Sequence, residues 1–78
     1  MAKLTEAQRR VMRHALAMDR KRGAPIRNSF VASVGGEDFE TWRELVALGY
    51  AALVHVESGM ARFMVTDAGR SALAEQQE

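Results

Sequence analysis

Between residues 38 and 73 the spacing of apolar side chains changes from a helical period to a period of two and back again, and few small folds accommodate both changes. Asp38 can accept from the unpaired amides of a first helical turn. Phe39, Trp42, Leu45 and Val46 then recur on one helical face. Gly49 follows the last of them, where a left-handed residue closes a helix without steric cost. From Tyr50 the residues alternate, with Ala52, Val54 and Val56 on one side and Leu53 and His55 on the other. After Glu57-Ser58-Gly59-Met60 the alternation resumes, with Ala61, Phe63 and Val65 inward and Arg62 and Met64 outward. Two such runs around a Gly-bearing turn predict a β-hairpin. Thr66 then caps a closing helix through Leu73, with Asp67 at the positive end of its dipole.

The N-terminal part is helical by the same logic. Thr5-Glu6-Ala7-Gln8 fits a capping box, which predicts a first helix over 6–20. Leu4, Ala7, Val11, Ala15 and Met18 form its core stripe, and Arg9, Arg13 and Arg20 fall opposite, with Arg10 flanking them. Met12 and Leu16 widen the apolar arc, either as further packing or as a flexible contact patch. Gly23 and Pro25 punctuate the exit. Ile26–Val31 is expected to extend and then form a short second helix capped by Asn28 or Ser29, with Phe30 and Val31 as core anchors. Gly35-Gly36 turns the chain into the third helix. The remaining expected core residues are Tyr50, Val54, Phe63, Val65 and Leu73.

Seventy-eight residues allow one domain, which must use its core efficiently because so short a chain buries only about 60% of its unfolded surface. No run approaches a membrane span, and the polar N-terminus does not read as a signal peptide. Cysteine is absent, which excludes disulfides and thiolate metal sites and fits a reducing cytoplasm. Catalysis finds no support. The hydroxyls are scattered, and His14 and His55 lie on different elements, where solvated or capping roles are expected. Gly35-Gly36 is not followed by Lys-Ser/Thr, so it is no phosphate loop. Neither enzyme chemistry, nor a cofactor, nor a metal is expected.

Charge is nearly balanced but unevenly placed. Residues 1–36 hold eight basic against two acidic residues, and residues 37–78 hold three against eight. Such asymmetry points to a polyanionic partner for one half, or to basic and acidic faces meeting in a homodimer. The nucleic-acid reading assigns Arg9, Arg13, Arg20, Lys21, Arg22 and Arg27 to phosphate contacts along the first helix and its exit. Asn28 and Arg62 would add contacts from the following segment and the hairpin. A protein-interaction reading instead uses Met12 and Leu16, or Glu40, Arg43 and Glu44 on the third helix.

Leu45-Val46-Ala47-Leu48-Gly49-Tyr50, followed by the hairpin and Phe63-Met64-Val65-Thr66-Asp67-Ala68-Gly69, resembles the second half of winged helix-turn-helix domains of the MarR type. A second likeness, through Thr5-x-x-Gln8-Arg9-x-Val11-Met12-Arg13-His14-Ala15-Leu16, Arg27-Asn28-x-Phe30-Val31 and the Leu-Val-x-x-Gly run, is to small uncharacterised phage and prophage proteins. These resemblances imply an α+β, mostly α, winged-helix-like domain with three helices, a two-stranded hairpin wing and a C-terminal helix. The second implies a viral origin but no activity; the functions expected are a DNA-binding, regulatory role in a host cytoplasm or, alternatively, a viral inhibitor or adaptor of a host complex. One departure matters. In winged-helix regulators the helix before the hairpin enters the major groove, whereas here it carries Glu37, Asp38, Glu40 and Glu44, which repel phosphates. DNA contacts are therefore assigned to the first helix and not to the third.

Overall fold

The computed structural model describes residues 3–16 and 28–76. The elements follow in the order α1 (Glu6–Ala15), β1 (Phe30–Ser33), α2 (Glu37–Ala47), β2 (Ala51–Glu57), β3 (Met60–Val65) and α3 (Asp67–Gln76). The strands form one antiparallel sheet in the order β1-β3-β2, so the last strand in sequence is the central one. This is a small α+β fold with three helices and a three-stranded sheet among the described residues.

Local chemistry sets most of the element ends. Thr5 and Gln8 form the capping box, each side chain accepting from the other's backbone amide at 3.1 and 2.9 Å. Gly49, at φ 83°, ends α2 in a Schellman arrangement, with the Tyr50 amide donating to Leu45 O and the Gly49 amide to Val46 O. Ser58 and Gly59 both have positive φ, 54° and 77°, as a two-residue type I′ turn requires between right-twisted strands. Thr66 joins two elements. Its hydroxyl accepts from the Gly69 amide at 3.1 Å and donates to Gly49 O at 2.8 Å, capping α3 while tying it to the end of α2.

Helices α1 and α2 pack on one face of the sheet. Trp42 lies fully buried at the centre, stacked on Phe63 at 5.4 Å with a 9° interplanar angle and tilted against Phe30 at 5.5 Å. Leu4, Val11, Met12, Ala15, Leu45, Phe63, Val65 and Leu73 complete the core. The Trp42 indole N–H has no acceptor among the described residues. α3 closes the end of the sheet by bringing Gly69 against the Tyr50 backbone.

The structure corrects several expectations. Helix α1 ends at Ala15 with Leu16 as its C-cap, and the Ala15 carbonyl accepts the Ser29 amide at 3.1 Å; residues 17–20, to which the first helix was expected to run, lie outside the described residues. Its buried stripe is rotated, with Ala7 exposed while Gln8 and Met12 are buried. On this face Val11, Met12 and Ala15 pack into the core, and Gln8 Nε2 donates to Glu44 Oε1 on α2 at 3.0 Å. Met18 lies outside the described residues.

The predicted short second helix is the strand β1. Asn28 seeds it, with Nδ2 donating to Val65 O at 2.8 Å and Oδ1 accepting the Val65 amide at 2.7 Å. That pairing sets the register Phe30↔Phe63 and Ser33↔Met60, so the two-stranded wing becomes a three-stranded sheet. Val31 consequently faces away from the core and Val46 sits at the edge of α2, both exposed. Val54 is exposed because the pairing of β2 with β3 shifts between Leu53 and His55, a bulge that breaks the alternation. Asn28→Ala is expected to lower stability by about 2 kcal/mol, because it leaves both backbone groups of buried Val65 unpaired. A urea titration followed by circular dichroism measures it, and an unchanged midpoint would refute the assigned pairing.

Candidate functional site

The basic residues of α1 are partly consumed by the fold. Arg9 is half-buried and donates from Nη1 to Leu4 O at 2.7 Å. Arg10 pairs with Asp38 at 3.4 Å. Arg13 is half-buried, and it makes no ion pair among the described residues. Arg20, Lys21, Arg22 and Arg27 lie outside the described residues. Together with Gln8 and Glu44, the Arg10–Asp38 pair sets the basic side of α1 beside the acidic side of α2. Part of the charge asymmetry between the two halves is thus answered within one molecule.

The other expected nucleic-acid residues do not join them. Asn28 spends its amide on Val65 and is not available to read a base edge. Arg62 pairs in register with Val31, and its side chain lies on the face of the sheet opposite the one that α1 covers. A single phosphate-tracking surface through Arg9, Arg13 and Arg62 is therefore not formed. Nor do the described elements supply a helix-turn-helix ending in α2. Strand β1 ends at Ser33 and three residues separate it from α2, so no helix directly precedes α2.

The alternative protein-binding set is also revised. Met12 is fully buried in the core cluster and cannot serve as a contact patch. Leu16 is half-buried against the core. Glu40 and Arg43 are exposed and 3.8 Å apart, a pair of little energetic weight, while Glu44 accepts from Gln8.

What the residues bring together instead is the outer face of the sheet. Alternation along β3 puts Met60, Arg62 and Met64 on this side. The register adds Val31 and Ser33 from β1, and Ala52, His55 and Glu57 from β2. Val31, Met60 and Met64 are 46, 42 and 37% exposed, high for apolar side chains lying side by side. No described helix packs on them. A shallow recess of about 220 Å³ opens here, lined by Val31, His55, Glu57, Ser58, Met60 and Arg62. His55 Nε2 and Glu57 Oε1 are 3.0 Å apart, and Arg62 makes no ion pair or hydrogen bond among the described residues. The alternation gave Arg62 and Met64 in advance, while Met60 was expected in the turn. Val31 and Ser33 required β1, which no sequence period announces.

Both histidines find ordinary surroundings. His14 sets its ring edge-on to Phe30 at 5.4 Å, and His55 meets Glu57. No group of three metal-ligating side chains occurs among the described residues, and no described helix is long and apolar enough to cross a membrane. No family model, curated protein or solved structure matches this chain.

Proposed function

We propose that this chain is a non-catalytic, winged-helix-like binding module whose target is another protein. The open outer face of the sheet carries this reading. Three exposed apolar side chains are held in fixed register by a central strand whose opposite face is anchored in the core. Methionine and arginine together are characteristic of protein interfaces, and adaptable Met side chains suit a partner surface. A rigid three-stranded platform also loses little conformational entropy on association, which favours binding.

A titration of the ¹⁵N-labelled protein tests the reading. Short random peptides selected by display on the immobilised protein, then synthesised, are expected to shift the amides of Val31, Ala52 and Met64. Selection that yields no peptide shifting these residues overturns the proposal.

A second reading, nucleic-acid binding along α1, is favoured by one observation. Lys3, Arg9 and Arg13 have no carboxylate partner among the described residues. A short DNA duplex and oligo-thymidine in the same titration at low salt separate the two. Shifts confined to α1, with log affinity falling by about 0.9 per phosphate neutralised against log salt, would establish this reading in place of the first.

A further inference from the structure

We infer that the outer face of the sheet receives an extended, apolar segment of a protein partner that presents a carboxylate to Arg62; the inference rests on the protein-binding reading above. Arg62 stands in the middle of the central strand, level with Val31 on one side and His55 on the other. Met60 and Met64 flank it along β3 on the same face. Its guanidinium makes no hydrogen bond or ion pair among the described residues, although an acid lies on the same face. That acid, Glu57, is turned to His55 at 3.0 Å. The face therefore offers five unspent N–H donors in a planar fork, surrounded by aliphatic and thioether surface.

Chemistry selects the occupant. A bare phosphate backbone fits poorly, because Arg62 is the only lysine or arginine that the strand register places on this face among the described residues, and nucleic-acid binding gains its strength from several neutralised phosphates. Base stacking fits poorly too, since Val31, Met60 and Met64 offer no aromatic platform. A carboxylate meets the fork in bidentate geometry, and the adjoining apolar side chains shield that pair from water, which strengthens it. The recess of about 220 Å³ beside Arg62 is of side-chain size, with Val31 and Met60 on its apolar wall and Ser58 at its rim. An extended segment suits the flat sheet, because its alternate side chains can drop acid and aliphatic groups onto one face.

The display-selected peptides are the probes. They are expected to be enriched in Asp or Glu next to Leu, Ile, Val or Met. Replacing the peptide acid by its amide is expected to weaken binding at least about tenfold, and Arg62→Glu is expected to do the same. A peptide carrying Lys in place of the acid is expected to bind Arg62→Glu better than the parent protein. Because Arg62 is exposed, that variant is expected to keep the parent's unfolding midpoint, which a urea titration checks. Peptides that shift Val31 and Met64 but carry no acid, or that bind Arg62→Glu as tightly as the parent, overturn this inference and leave the protein-binding reading standing. Selection of no peptide that shifts this face overturns both. Oligo-thymidine shifting Arg62 and Met64 and displacing the peptides also overturns the inference, by naming a different occupant.

Discussion

Trp42→Ala is expected to cost about 3–5 kcal/mol of unfolding free energy, a large part of the roughly 5–15 kcal/mol that holds a domain together. The indole is fully buried and touches both layers. It stacks on Phe63 of the central strand and meets Phe30, the first residue of β1. Alanine would leave a void between α2 and the sheet and would remove the ring that holds β1 in place. Trp42→Phe is expected to lose much less. It keeps the aromatic contacts, and it removes an indole N–H that has no acceptor among the described residues. Chemical denaturation followed by far-ultraviolet circular dichroism reads both variants. An alanine variant within about 1 kcal/mol of the parent would contradict the central placement of this ring.

Gly69→Ala is expected to destabilise the protein by about 1–3 kcal/mol, against the sign that helix propensity gives. In an exposed helix the same change would help by up to about 1 kcal/mol. Here a Cβ would run into the Tyr50 carbonyl oxygen and would lie 2.8 Å from Val65 Cγ1. Tyr50 cannot easily retreat. Its amide donates to Leu45 O at 2.9 Å, and its carbonyl accepts the Thr66 amide at 3.0 Å. The clash therefore falls on the helix, and α3 must lift away from the sheet, exposing Leu73 and Ala72. Exposed Ala68 supplies the control, because Ala68→Gly should show only the small propensity loss. A melting temperature raised by Gly69→Ala would mean that α3 docks in some other way.

The two helices that carry the opposite charges lie against each other, and this bears on partner choice. Arg10–Asp38 and Gln8–Glu44 bridge α1 to α2, so the acidic side of α2 is partly answered without a second molecule. Both bridges are at least partly exposed, and each contributes little stability. Their consequence is for docking: a basic-to-acidic homodimer would compete with contacts already made inside each copy.

Much of the architecture was legible residue by residue. The capping box at Thr5 and Gln8, the glycine stop at Gly49, the turn at Ser58-Gly59 and the cap at Thr66 all depend on side chains a few positions apart in sequence. So does the inward set Ala61, Phe63 and Val65, because a strand's period of two is a local property. Part of the candidate face was legible for the same reason, through Arg62 and Met64, whereas Met60 was expected in the turn.

Tertiary structure decided the rest. Phe30–Ser33 is a strand because Asn28 finds Val65, 37 residues away, and four residues have too little pattern of their own to announce a pairing partner. Once β1 is in place, Val31 leaves the expected core and joins the outer face. Helix α1 packs with Val11, Met12 and Ala15 inward and Ala7 exposed, with Gln8 reaching across to Glu44. A bulge in β2 turns Val54 outward. Caps, turns and strand alternation are settled by neighbours along the chain, so sequence determined them. Which face meets which layer is settled by groups that only folding brings within hydrogen-bonding and packing distance, and that choice placed Arg62 among exposed Val31, Met60 and Met64.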